Sequence, residues 1–307
     1  MSMKSIQRVH IDDESIRMSS VLPGGFRYAL RQLRRSPVGI IGVFMVSSVL
    51  FIALFAPFLA PHDPMQHNRR ERFMPPTWMD GGSRTHVLGT DQLGRDILSR
   101  LIYGSRISVV VGVAAVAIGG AVGALLGLLA GLYGGSLDAI ISRGIDTFLA
   151  LPFLILVLAV VGILGPSLPT IILVLGFTGW ATYARVVRGE TLAMKERGFV
   201  SSAQALGASQ LRIARKHIFP NITASIIVLG TLDIAATILA ESSLSFLGLG
   251  VQPPAVTWGL MVASGREFLS SAWWLAVFPG LCISYTVLGV IFFGDFLRDL
   301  LDPKINI

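Results

Sequence analysis

Residues 38–60 read VGIIGVFMVSSVLFIALFAPFLA, without a single charged side chain. As a helix this run reaches about 35 Å, enough for a hydrocarbon core of about 30 Å. Five further apolar runs follow at about 107–132, 140–164, 168–187, 222–244 and 274–296. Each is long enough to cross a bilayer, where only closed hydrogen-bonding structures such as helices survive. The expected fold is therefore all-α, a polytopic membrane protein with six transmembrane helices.

The totals agree with that reading. Of the 307 residues 53% are hydrophobic and only 14% charged, and the mean hydropathy is +0.70. A soluble domain carries about a quarter charged residues. The net charge of +7 could suggest a nucleic-acid partner, but the basic residues cluster at the ends of apolar runs without an aromatic-rich basic face. Cys282 has no partner, which excludes an intramolecular disulfide. The first apolar run is too long and starts too late for a cleavable signal.

Basic residues set the orientation. Arg27, Arg31, Arg34 and Arg35 precede the first run and place the N-terminus in the cytoplasm. Six crossings return the C-terminus to the same side. The polar segment between the fourth and fifth runs then falls inside with Arg185, Arg188, Lys195, Arg197, Arg212, Arg215 and Lys216 against Glu190 and Glu196. The expected organisation is a cytoplasmic segment 1–37, a first transmembrane helix 38–60, an external loop 61–106, a five-helix core 107–297 containing the cytoplasmic loop 188–220, and a cytoplasmic tail 298–307.

In the second run Gly119, Gly123, Gly127 and Gly131 recur every four residues and share one stripe. Small residues at that spacing let another helix approach closely within lipid, so the stripe is a candidate packing seam. Trp273 and Trp274 read as membrane-interface markers.

The polar loop is patterned: residues 198–221 read GFVSSAQALGASQLRIARKHIFPN. Ser201 with Gln204 three residues on is a capping box that predicts a short helix from about Ser202. Gly207 interrupts or ends it, and a second helical stretch from Gln210 to Ile218 carries Arg212, Arg215 and Lys216, with Pro220 expected to stop it before the fifth run. A solvated linker would be less regular; docking of a partner surface is the better explanation.

This segment resembles the coupling loop of ABC importer permeases, whose pattern is Glu-Ala-Ala, three residues, Gly, nine residues, then Ile-x-Leu-Pro. Ser201, Ser202 and Ala203 stand at the Glu-Ala-Ala positions, Gly207 at the glycine, and His217, Phe219 and Pro220 at the last three. Ser201 lacks the usual carboxylate. Residues 86–108, HVLGTDQLGRDILSRLIYGSRIS, and 239–250, LAESSLSFLGLG, resemble the dipeptide/oligopeptide/nickel branch, and the arginines with Ser36-Pro37-Val38-Gly39 resemble the N-terminal block of its C-type subunit. The resemblance runs from about Phe26 to Pro303. It implies the type I importer permease fold, in a subunit that forms half of a pathway for di- or oligopeptides or a related small solute. It further implies a homologous second permease, two cytoplasmic ATPase subunits, an extracytoplasmic binding protein and a bacterial inner-membrane location. Ser201, Ser202, Ala203, Gly207, Arg212, Arg215 and Pro220 would then contact the ATPase.

The chain contains no Gly-x-x-x-x-Gly-Lys-[Ser/Thr] loop to cradle phosphates. Catalysis on this chain and a cofactor of its own are not expected; ATP and Mg would sit on the partner ATPase. The five histidines, among them His62 and His67, show no metal-ligand spacing, and no metal site is expected. Asp233 and Glu241 lie in the fifth run, where charge is costly and usually functional. Eight residues apart, they read as sharing a helix face on the translocation pathway, with local hydrogen bonding of Glu241 to Ser242, Ser243 or Ser245 as the plainer alternative. The alternative function is a self-sufficient secondary transporter or channel driven by an ion gradient; a membrane-embedded enzyme comes third, for want of a reactive constellation.

Overall fold

The computed structural model describes residues 25–301, with side chains from 28 onward. Most of the segment 1–37, the Arg27 side chain and the end of the tail, including Pro303, lie outside the described residues.

An amphipathic helix α1 (Gly25–Arg35) leads into α2 (Pro37–Leu54). The junction is built by Ser36, whose hydroxyl accepts from the Gly39 amide at 3.1 Å, and by Pro37 in the first helical turn, where its missing N–H costs nothing. A break at Phe55 starts the one-turn helix α3 (Ala56–Leu59). After the polar loop, α4 (Ile97–Tyr133) runs for 37 residues, about 55 Å. It begins ten residues before the apolar run, capped by Asp96 and carrying the buried Ser99 and Arg100 in its first turn.

The third apolar run departs from expectation. It forms α5 (Gly135–Ala150) and α6 (Phe153–Leu164), which meet at 90°. Leu151 is extended at ψ 130°, because the residue before proline is pushed out of the α region, and Pro152 cannot continue the ladder. Five helices are long and apolar enough to cross a membrane, and this bent pair makes a sixth if it counts as one span.

Helix α7 (Leu168–Lys195) extends past Val187 to the last basic residue before the loop. The loop holds α8 (Gly198–Ala205) and α9 (Gln210–Ile213); a widened π turn (Ala214–Ile218) joins α9 to α10 (Phe219–Phe246). The expected stop at Pro220 is absent. The π turn, in which the Phe219 amide reaches back five residues to Ala214, supplies the slack that a proline ring otherwise lacks inside a helix. The Asn221 side-chain Nδ2 donates to the His217 carbonyl at 2.5 Å. Gln210–Phe246 is one continuous helix.

Helix α11 (Trp258–Gly265) and helix α12 (Trp274–Leu301) complete the chain. Trp258 donates to the Leu101 carbonyl at 2.9 Å and Trp274 to the Thr90 carbonyl at 3.3 Å, both buried. Trp274 is therefore a core tryptophan binding the polar loop, and of this pair Trp273 alone keeps an exposed ring. Among the described residues there is no strand, only an isolated bridge between Thr90 and Asp96.

Helix α4 packs along α7, α2 along α12, and α10 against α12 and α4. The outward faces stay apolar: Phe44, Phe58 and Ile163 are 68%, 85% and 84% exposed. A contiguous apolar exterior of this kind belongs to lipid or to a partner subunit.

The glycine stripe lies in the α4–α7 contact. A Cβ on Gly119 would meet the Gly176 carbonyl at 2.7 Å, one on Gly127 the Ala184 carbonyl at 2.5 Å, and one on Gly131 the Thr191 side chain at 2.6 Å. At Gly123 it would strike the Trp180 carbonyl. The two backbones touch, and no larger residue fits between them.

Candidate functional site

Three features fix the polar loop between α7 and α10. Lys195, at the end of α7, donates its ammonium to the Gly131 and Leu132 carbonyls at 3.1 and 2.9 Å. These are carbonyls at the C-terminal end of α4, where cations are favoured. Arg188 forks onto both carboxylate oxygens of Asp138, the Nη2 contact measuring 2.7 Å, and so ties α7 to α5. Beneath the loop, Leu132, Val187, Ile213, Ala214, Ile218 and Ile222 form a buried apolar cluster.

Helix α8 is seated on this cluster chiefly by Val200. Val200 is fully buried in it, with Ala203 and Ala208 partly buried alongside. Seating Val200 decides where the helix begins. It starts at Gly198 with Arg197 at the cap, so Ser201 lies inside the helix and its amide bonds the Arg197 carbonyl at 3.2 Å. The capping-box expectation at Ser201 is corrected: tertiary burial overrides a local signal worth about 1 kcal/mol.

Gly207 has φ +80°. Its amide bonds the Gln204 carbonyl at 2.9 Å and the Ala208 amide bonds the Ala203 carbonyl at 3.0 Å, the two bonds of a Schellman motif. A Cβ there would meet nothing within 4 Å, so glycine is required for its backbone conformation and not for space. Ser209 then caps α9, its hydroxyl accepting from Arg212 at 3.4 Å.

The outward surface is distinctive. Ser201, Ser202 and Gln204 are exposed, and beside them Leu206 is 88% and Leu211 65% exposed. An open groove of about 400 Å³ runs between Ser209, Leu211, Arg212, Arg215 and Lys216. Arg212, Arg215 and Pro220 are exposed, while Ala203 is partly buried. Two leucines thus project from a polar loop next to three exposed cations, Arg212, Arg215 and Lys216.

Asp233 and Glu241, eight residues apart, lie about 80° apart around the helix and meet different partners. Asp233 points toward α7 and accepts from the Tyr183 hydroxyl at 3.1 Å. Gly120, Gly179 and Gly230 lie beside the pair: a Cβ on Gly120 or Gly230 would be in ordinary contact with Tyr183 at 3.5 or 3.7 Å, and one on Gly179 with Asp233 at 3.5 Å. Glu241 is fully buried and accepts from Ser245 at 2.8 Å and from Ser242 at 3.5 Å, whereas Ser243 bonds the Leu239 carbonyl instead. Tyr183, Val200 and Lys195 are site residues that sequence reasoning missed. Of these only Lys195 left a signal, as one of the cations of the polar loop; the helix that carries it runs eight residues past the predicted end. Among the described residues, His62, His86 and Asp96 are the side chains grouped closely enough to share a metal ion, at the opposite end of α4 from the loop.

The profile for the N-terminal membrane domain of oligopeptide transport permease C matches residues 26–76, and that for the binding-protein-dependent transport system inner membrane component matches residues 123–307. The chain is 44% identical over 273 residues to the dipeptide transport system permease protein of Escherichia coli K12, covering 89% of this chain and 91% of the relative. It is 40% identical over 265 residues to the di/tripeptide transport system permease protein of Pseudomonas aeruginosa, covering 86% and 88%. The Bacillus subtilis dipeptide permease is 41% identical over 279 residues, covering 91% and 85%. Among solved structures, the inward-facing MetNI methionine ABC transporter superposes with a TM-score of 0.53 at 19% identity, covering 66% of this chain and 96% of that one.

Proposed function

The chain belongs to the binding-protein-dependent transport system inner membrane components and is a transmembrane permease subunit of an ATP-binding-cassette importer; we propose that it forms half of a pathway for di- or oligopeptides. The cargo rests on the relatives, whose names specify dipeptides or di/tripeptides. Comparable support is lacking for a self-sufficient secondary transporter, since these relatives are permease components of multi-part transport systems.

The subunit works beside a homologous second permease, two cytoplasmic ATPase subunits that hold ATP and Mg, and an extracytoplasmic binding protein. It spans the bacterial inner membrane with both termini in the cytoplasm, and no nucleic acid is involved. The observation that carries the coupling role is the loop's two-sided construction. Val200 keys α8 into the cluster at the ends of α4, α7 and α10, while Leu206, Leu211 and the basic groove face outward. ATPase closure pushes on the outward face. The motion passes through Val200 to α4 and α7, which move together because their glycine seam and the Lys195 cap lock them. Because α9 continues into α10 without a break, the same push shifts the helix that carries Asp233. Half-buried against Tyr183, Asp233 is the pathway candidate that meets a cationic group of the cargo; Glu241, enclosed by serines, is the less suited of the two.

The test is reconstitution of the full transporter in proteoliposomes, with uptake of a labelled dipeptide. ATP-dependent uptake that requires the binding protein supports the assignment. Uptake driven by an ion gradient without ATP refutes it.

A further inference from the structure

Three residues far apart in sequence converge where the first span ends and the second begins. His62 follows α3, His86 lies in the polar loop, and Asp96 caps α4. One ligand-type atom from each lies within 4.8 Å of the others. His86 Nδ1 is 2.8 Å from Asp96 Oδ1 and His62 Nδ1 is 3.8 Å from Asp96 Oδ2. The two rings lie 4.6 Å apart, centroid to centroid.

Two features of the hydrogen bonding indicate that a cation is wanted. First, His86 is nine-tenths buried and both its nitrogens face a carboxylate, Nδ1 toward Asp96 and Nε2 toward Glu71 at 3.2 Å. A neutral imidazole donates from only one nitrogen. With Nε2–H donating to Glu71, Nδ1 presents a lone pair toward Asp96, an arrangement that needs a positive charge beside it. Second, His62 Nδ1 is enclosed and has no hydrogen-bond partner among the described residues, although it points at the same carboxylate. An unpaired buried nitrogen is costly, and a metal ion removes that cost.

We propose that His62, His86 and Asp96 form a binding site for a divalent transition-metal ion of the zinc class. Two atoms bound to one Zn²⁺ at 2.0–2.1 Å can be no more than about 4.2 Å apart. The ligand-type atoms, now within 4.8 Å of one another, would close around the ion, while the His86–Asp96 contact, at 2.8 Å a hydrogen bond, would open to the tetrahedral separation of about 3.3 Å. Glu71 supplies the carboxylate behind a ligating histidine that fixes its tautomer, and is itself held by the Asn68 amide at 2.6 Å. Ser99 holds Asp96 through its amide and hydroxyl, both at 2.7 Å. A cavity of about 190 Å³ beside the cluster, lined in part by Gln66 and Thr85, leaves room for a water as the fourth ligand. The ion would staple the end of the first span to the start of the second across the loop between them.

The test uses the full-length chain purified with a histidine-free affinity tag and titrated with Zn²⁺ against a chromophoric chelator, and with Co²⁺ for its visible bands. One tight equivalent is expected, retained in His67→Ala, an exposed neighbour outside the cluster. His62→Ala should weaken binding at least 100-fold and Glu71→Gln about 10- to 100-fold, with the same gel-filtration profile. Glu71→Gln serves as the reading if His62→Ala fails to fold. Absence of a tight equivalent in the unmodified chain would show instead a metal-free cluster joined by hydrogen bonds alone. That result, or unchanged affinity in the variants, overturns the proposal.

Discussion

Val200→Ala isolates the joint between the loop and the membrane helices. Val200 is the fully buried side chain of α8, and the helix's backbone bonds are local, so this side chain carries most of the attachment. The substitution removes two buried carbons at about 0.8 kcal/mol each. With the void left behind, the loss is about 2 kcal/mol, or about 30-fold in the ratio of seated to released α8. Because the outward face is untouched, the ATPase should still bind. The expected result in proteoliposomes containing the complete transporter is ATP hydrolysis within about twofold of the unmodified protein and peptide uptake reduced several-fold, so that more ATP is consumed per peptide. If uptake and hydrolysis keep their original ratio, Val200 is not the transmitting contact and the account of the loop fails.

The remaining predictions concern separate parts of the molecule. At Gly207 the positive φ costs an ordinary residue about 1–2 kcal/mol, and the site is open within this chain. Asn should therefore preserve uptake best and Ala lose some, while Leu should lose far more than Ala only if a partner surface lies there; uptake assays rank the three. Gly123→Val should separate α4 from α7 and cost about 1–3 kcal/mol, seen as a lower unfolding temperature in detergent, whereas Gly162→Val, where a Cβ meets nothing, should cost far less. Asp233→Asn keeps an acceptor for Tyr183 and should leave the unfolding temperature nearly unchanged while lowering peptide uptake at least about tenfold, the magnitude of one lost charge-assisted contact; normal uptake would remove Asp233 from the pathway.

Much of the architecture was legible because membrane burial demands long uncharged runs, and residues 38–60 admit few other readings. The glycine period in α4 and the C-terminal role of Gly207 were legible because backbone geometry leaves few alternatives to glycine. Hydropathy could not show where helices end. The first turns of α4 are polar yet helical, since Asp96 caps them and Trp258 and Trp274 cover the adjoining backbone. Nor could it show the bend at Leu151–Pro152, where apolar character continues while the backbone turns. Pro220 misled because the five-residue turn that accommodates it has no local sequence signature. The anchoring of α8 by Val200 and the grouping of His62, His86 and Asp96 depend on contacts between distant segments, which spacing along the chain does not encode.

The account turns on the outward face of the loop meeting an ATPase subunit. With Cys282 replaced by alanine, a single cysteine introduced as Leu206→Cys, at the 88% exposed position beyond α8, can be treated with a short bifunctional maleimide in the assembled transporter. The account predicts a covalent adduct with an ATPase subunit whose yield changes on adding ATP, and none from Val87→Cys in the loop between the first two spans. No adduct at position 206, or an equal adduct at position 87, would contradict it.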